Sequence, residues 1–220
     1  MDAGNHQIAF ESVPIETPEA LASLRATGKL PFYQLPLLEI NDQKVSQSSA
    51  MIRYLARIGG FYGESDADAV WCDMIAGSVA DFAETAMQAA FQPTEDIAIA
   101  ALRARFKKFG PTFEARLAEN GSDCCVGDRT TFADIVRIEV LSAYLEWCPG
   151  ILWDTPLLDA LHERVSNDPG IARYLRSAQR YPKAAHLSNC CSYNPTASTT
   201  VPYVPPKQVR VCGLVSSRDF

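Results

Sequence analysis

The chain has 220 residues, 47% apolar and 21% charged, which places it among ordinary globular proteins with one large or two small cores. Twenty Lys+Arg against 26 Asp+Glu leave a net charge of −6, opposite to what a surface built to neutralise phosphate backbones carries. No apolar run approaches the roughly 20 residues needed to cross a bilayer, and Met1-Asp2-Ala3-Gly4-Asn5-His6 lacks the basic and apolar blocks of a secretory leader.

The first sixty residues read as mixed α/β. Gln7 to Ile15 alternates around Ile8, Phe10, Val13 and Ile15, the period of a strand. Thr17-Pro18-Glu19 is a helix start, and Thr27-Gly28 its stop. Pro36 to Ile40 is an apolar strand, Asn41-Asp42 a two-residue turn, and Gln43 to Val45 the returning strand. A helix with Ser48 as N-cap carries Met51, Leu55 and Ile58 on one stripe and ends at Gly59-Gly60.

From Asp66 onward the period is helical. A long helix with Trp71, Ile75 and Phe82 on one face runs to about Gln92, where Pro93-Thr94 breaks it. A second carries Ile97, Ala101, Phe106, Phe109, Phe113 and Leu117, with Gly110-Pro111 as a place to bend. Thr131 to Leu145 is the next, opened by a capping box of Thr131 and Asp134 and with Ile135, Ile138, Leu141 and Leu145 inward. Pro156 to Val165 and Pro169 to Arg180 each follow a cap-Pro pair, Thr155-Pro156 and Asp168-Pro169. Residues 187–220 have no helical period, are rich in Ser, Thr, Asn and Pro, and read as a disordered tail. The expected division is therefore 1–60, 61–186 and the tail 187–220.

The seven cysteines contain no Cys-x-x-Cys, and His6, His162 and His186 stand alone, so no metal site is expected. The cysteines read as reduced packing or tail residues of a cytoplasmic protein.

Lys29 to Ile40 is the most informative stretch. Pro36 opens a strand after an exposed loop. A cis bond there would turn the Leu35 N–H and C=O outward to grip a peptide; a trans proline on an edge strand fits the same spacing. Eleven residues on, Gln47-Ser48-Ser49-Ala50 begins a helix whose tip suits a carboxylate or serves only as a cap.

Together, Leu30-Pro31-Phe32-Tyr33-Gln34-Leu35-Pro36-x-Leu38 and Gln47-Ser48-x-Ala50-x-x-Arg53-Tyr54-Leu55-Ala56 resemble cytosolic glutathione S-transferases, most nearly the sigma-type branch that includes prostaglandin D synthases. Val70-Trp71-Cys72-Asp73-Met74-Ile75 with Asp81-Phe82, and Thr131-Phe132-Ala133-Asp134-Ile135, continue the likeness across roughly residues 8 to 186. The resemblance implies an α/β plus all-α architecture: a partial thioredoxin-like, glutathione-binding domain over 1–60, then an all-helical domain over 61–186.

The resemblance also implies the site. Leu35, beside cis Pro36, would take the cysteinyl backbone of glutathione, and Gln47 and Ser48 the γ-glutamyl carboxylate. Tyr33 and Gln34 would line the groove, and Arg25 would reach the glycine carboxylate. Asp81 would approach the glutathione of a partner in a homodimer. Glutathione would be the co-substrate and a small hydrophobic electrophile the acceptor, or the substrate of a glutathione-dependent isomerisation. The electrophile would lie between the α/β half and the helices carrying Trp71 to Phe82 and Phe106 to Phe113, although helical spacing favours those aromatics as core.

Family members open with a strand bearing a Tyr that donates to the glutathione sulfur, whereas the first Tyr here is Tyr33. The chain is thus expected to begin one βα unit late, and its sheet to lack a central strand. No catalytic residue is therefore assigned. The rival expectations are a non-catalytic glutathione-binding or structural member, an incomplete gene model and, more weakly, a thiol–disulfide oxidoreductase.

Overall fold

The fold is that of a computed structural model that describes residues 10–15, 17–177, 180 and 209–214, the last segment as backbone. The chain forms two compact units, residues 1–60 with 198–220, and residues 61–197.

In the first unit β1 (Glu11–Ile15) leads to α1 (Pro18–Ala26), where the Thr17 side chain accepts from the Ala20 N–H. Leu21 of α1 packs with Leu30 and Leu37. β2 (Leu37–Ile40) and β3 (Gln43–Ser46) pair antiparallel through Asn41 and Asp42, both at positive φ, as a tight two-residue hairpin turn requires. The alternation of β2 divides its side chains between two faces. Leu37 joins the α1 cluster, while Leu38 and Ile40 pack with Met51 of α2 (Ser48–Ile58). Ile58, read onto the inner stripe of that helix, is 47% exposed.

The largest departure from expectation is β4 (Val209–Leu214), inside the stretch read as a tail. The sheet order is β1-β4-β2-β3, with β4 parallel to β1 and antiparallel to β2. The central place expected to be empty is therefore filled from the other end of the sequence. Val209 and Val211 supply β-branched residues, and both flanking strands satisfy backbone groups that an open edge would expose. The rest of 187–220 lies outside the described residues, as do Gln7 to Ala9 of the predicted first strand.

The second unit is helical: α3 (Asp66–Ala89), α4 (Glu95–Asn120), α5 (Phe132–Trp147), α6 (Pro156–Ser166) and α7 (Pro169–Leu175). α7 is thus shorter than the spacing predicts. Phe82, Phe106, Phe113 and Tyr144 form the aromatic core; Phe82 stacks on Tyr144 at 4.1 Å between ring centroids. Ile97 and Ile135, expected inward, are exposed. The buried face of α4 instead runs through Ala98, Leu102 and Phe106, and that of α5 through Asp134, Arg137, Ile138 and Leu141.

α4 runs unbroken through Pro111, and a Cβ on Gly110 would meet the Phe106 ring at 2.7 Å, so that glycine answers a close approach. Asp134 accepts from the Cys125 N–H at 2.7 Å, the Thr131 N–H at 2.8 Å and the Thr131 hydroxyl at 3.0 Å, which fixes the start of α5 and the preceding turn together. α6 is capped from outside. Thr155 holds the N-cap position without a side-chain cap, and Glu114 of α4 accepts from the Leu157 and Leu158 N–H groups at 2.8 and 2.9 Å.

Candidate functional site

The site is built at one end of the β2–β3 ladder. Leu37 pairs with Ser46, so Pro36 enters and Gln47 leaves the hairpin side by side. The Leu35–Pro36 peptide bond is cis. Across this end the Gln47 Nε2 donates to the Gln34 Oε1 at 3.4 Å. Arg25, in the last turn of α1, donates from Nε to the Tyr33 carbonyl at 2.9 Å and ties the loop to that helix. Tyr33 sits at φ +55° and its side chain is 65% exposed.

Ser48 is the first residue of α2, and the N-cap is Gln47, which corrects the sequence reading by one position. The Gln47 carbonyl accepts from the Ala50 and Met51 N–H groups at 2.9 and 3.0 Å, closing the first turn. Its side chain makes no cap and turns to Gln34 instead. α2 has no acidic residue in its first turn. Its tip therefore carries the partial positive charge of a helix start without a side-chain carboxylate to offset it, an arrangement suited to an anion.

Arg25, Tyr33, Gln34 and Leu35 thus converge with Pro36, Gln47 and Ser48. Tyr33, Gln34, Gln47 and Ser48 are exposed, and Leu35 and Pro36 half-buried, so a ligand can reach the loop edge and the helix tip together. Asp81 belongs to the helical unit, exposed on α3, where its backbone carbonyl accepts from Arg105.

Among the described residues, no group of three or more His, Cys, Asp or Glu could hold a metal ion. The described cysteines, Cys72, Cys124, Cys125 and Cys148, are buried and form no disulfide among the described residues. Burial pushes the Cys72 and Cys124 thiols above their ordinary value and that of Cys125 well above it. Such thiols are poor nucleophiles. Two further polar residues escaped the sequence reading. Arg137 lies on the buried stripe of α5, three residues after Asp134 and four before Leu141, and Glu114 caps α6; the stripe was the available signal for Arg137.

Residues 80–178 match the glutathione S-transferase C-terminal domain family. Glutathione S-transferase A3 of Mus musculus is 34% identical over 179 residues, covering 80% of this chain and 81% of that protein. Glutathione S-transferase A1 of Bos taurus is 35% identical over the same shares. Glutathione S-transferase alpha-3 of Rattus norvegicus is 34% identical, again over 80% and 81%. Among solved structures, a monomeric glutathione S-transferase of the hookworm Necator americanus aligns at TM-score 0.65 and 27% identity, covering 72% of this chain and 82% of that one. The glutathione S-transferase of Ascaris lumbricoides aligns at TM-score 0.66 and 27% identity, covering 76% and 83%.

Proposed function

The chain belongs to the glutathione S-transferase family, and from that premise we propose that it binds glutathione at the Pro36 end of the β2–β3 hairpin and promotes attack of the glutathione thiolate on small hydrophobic electrophiles. The observation that carries the reading is the pairing of the Gln34–Pro36 loop with the uncapped tip of α2, bridged by Gln47 and Gln34. The γ-glutamyl carboxylate would sit at the α2 tip on Gln47 and Ser48. The cysteinyl backbone would run beside Leu35, and the glycine end toward Arg25. This positioning aims the thiol, and orientation of a bound nucleophile is itself a large share of such catalysis. The curated relatives carry alpha-class names, so the sigma-type branch is not supported and the assignment stands at the family.

A second reading, a glutathione-binding member without transferase turnover, rests on one feature. The resemblance places a thiol-activating Tyr on the family's first strand, and the strand that holds the central place here, Val209–Leu214, has no Tyr. Retention on immobilised glutathione together with turnover of a chlorinated nitroaromatic supports the transferase; retention without turnover supports the binder. Failure of retention contradicts both.

We carry over a homodimer, with Asp81 facing the partner, and a cytoplasmic location as parts of this reading. The hookworm relative is described as monomeric, so sedimentation of this chain decides the first. Among the described residues no helix is long and apolar enough to cross a membrane.

A further inference from the structure

The sheet of the first unit is completed by a strand from far along the chain. Among the described residues, β4 alone links β1 to the β2–β3 hairpin by backbone pairing. Without it, β1 is a single strand and the hairpin a pair of four-residue strands, each marginal in water. β4 begins 34 positions after Leu175, the end of α7. Closing a connection of that length costs chain entropy, which the two ladders must offset.

The register fixes the strand in its place. Arg210 stands opposite Glu11 of β1 and Glu39 of β2, so a cation enters between two carboxylate-bearing positions. Cross-strand neighbours of opposite charge favour one register over its alternatives. Glu39 is also paired with Lys29 at 3.7 Å. Two residues on, one rung runs Val13–Cys212–Leu37–Ser46 across all four strands. Pro36 precedes Leu37 and Gln47 follows Ser46, so this rung borders the loop and helix tip on which the glutathione reading rests.

We propose that β4 enters and leaves this sheet as a unit, and that its docking and the binding of glutathione stabilise one another. Docked β4 holds the Leu37 end of β2, and glutathione seated beside Leu35 and Gln47 holds the same end where Cys212 pairs. A ligand that binds only the docked form draws the strand in, and the coupling is reciprocal. The inference rests on the glutathione reading of the Pro36 loop.

Hydrogen exchange of the full chain, read by mass spectrometry with and without glutathione, tests it. At glutathione about a hundred times its Kd, exchange over Val209–Leu214 and Glu11–Ile15 is expected to slow by about hundredfold, while that over α5 stays unchanged. Arg210→Glu sets like charges in register. It is expected to speed exchange over Glu11–Ile15 and to weaken glutathione binding at least about fivefold in calorimetry. Adding Glu11→Arg and Glu39→Gln to that variant is expected to restore both. Glutathione binding with exchange over Val209–Leu214 unchanged would overturn the coupling and leave the glutathione reading standing. No glutathione binding by the unaltered chain would overturn that reading and the coupling with it. An Arg210→Glu chain that matches the unaltered one in both measurements would overturn the role of the register. Protection that rises with protein concentration at fixed glutathione would overturn docking within one chain and assign the strand to a second copy.

Discussion

Gln47 is the residue on which the glutathione reading is narrowest. It holds the N-cap position at φ +69°, yet its side chain leaves the helix tip uncapped and reaches Gln34. Gln47→Ala is expected to weaken glutathione binding by about 1–3 kcal/mol, the range of a hydrogen bond to a charged group; calorimetry that finds affinity unchanged moves the carboxylate elsewhere. Asp134 is its counterpart in the core. It serves three donors and is fully buried. Asp134→Ala strands the Cys125 and Thr131 N–H groups, so a loss of about 3 kcal/mol or more is expected in urea unfolding. A loss below about 1 kcal/mol would show that the turn relaxes to meet water. The capping box at Thr131–Asp134 was legible because its residue types and spacing are local. Arg137 was not, because a lone arginine on a helix reads as a solvated face until its neighbours along the stripe are seen to be buried.

Elements were legible where a local rule fixes them. Thr17-Pro18, Asn41-Asp42 and Asp168-Pro169 mark their boundaries in the structure as their chemistry requires. They were not legible where a distant partner decides. The spacing around Pro36 left cis and trans open, and the structure has the cis bond. Thr155 has the residue type of a cap, but α6 takes its cap from Glu114, 43 positions before Leu157. β4 is the strongest case. Six residues with two valines form a strand only because β1 and β2 offer unpaired backbone on either side. A chain ending at Ala197 is therefore expected to lose glutathione retention while keeping the far-UV signature of α3 to α6. Retention at full strength in that shorter chain would show that β1 and β2 hold the loop without β4.

At the scale of the whole molecule, the α/β-then-helical order was readable from the change of period near Asp66, and the family from the loop and helix-tip strings taken together. What one sequence could not supply was the branch: the residues around Pro36 point to one, and the names of the curated relatives to another. The central claim is a seat for a γ-linked tripeptide between the loop before Pro36 and the tip of α2. Calorimetric titration of the full chain with glutathione and with the dipeptide Cys-Gly tests it most directly, because the two differ only in the γ-glutamyl group that the helix tip is said to hold. The account predicts saturable binding of glutathione and affinity for Cys-Gly lower by at least about tenfold. Equal affinity for the two, or no binding of glutathione at all, would contradict it.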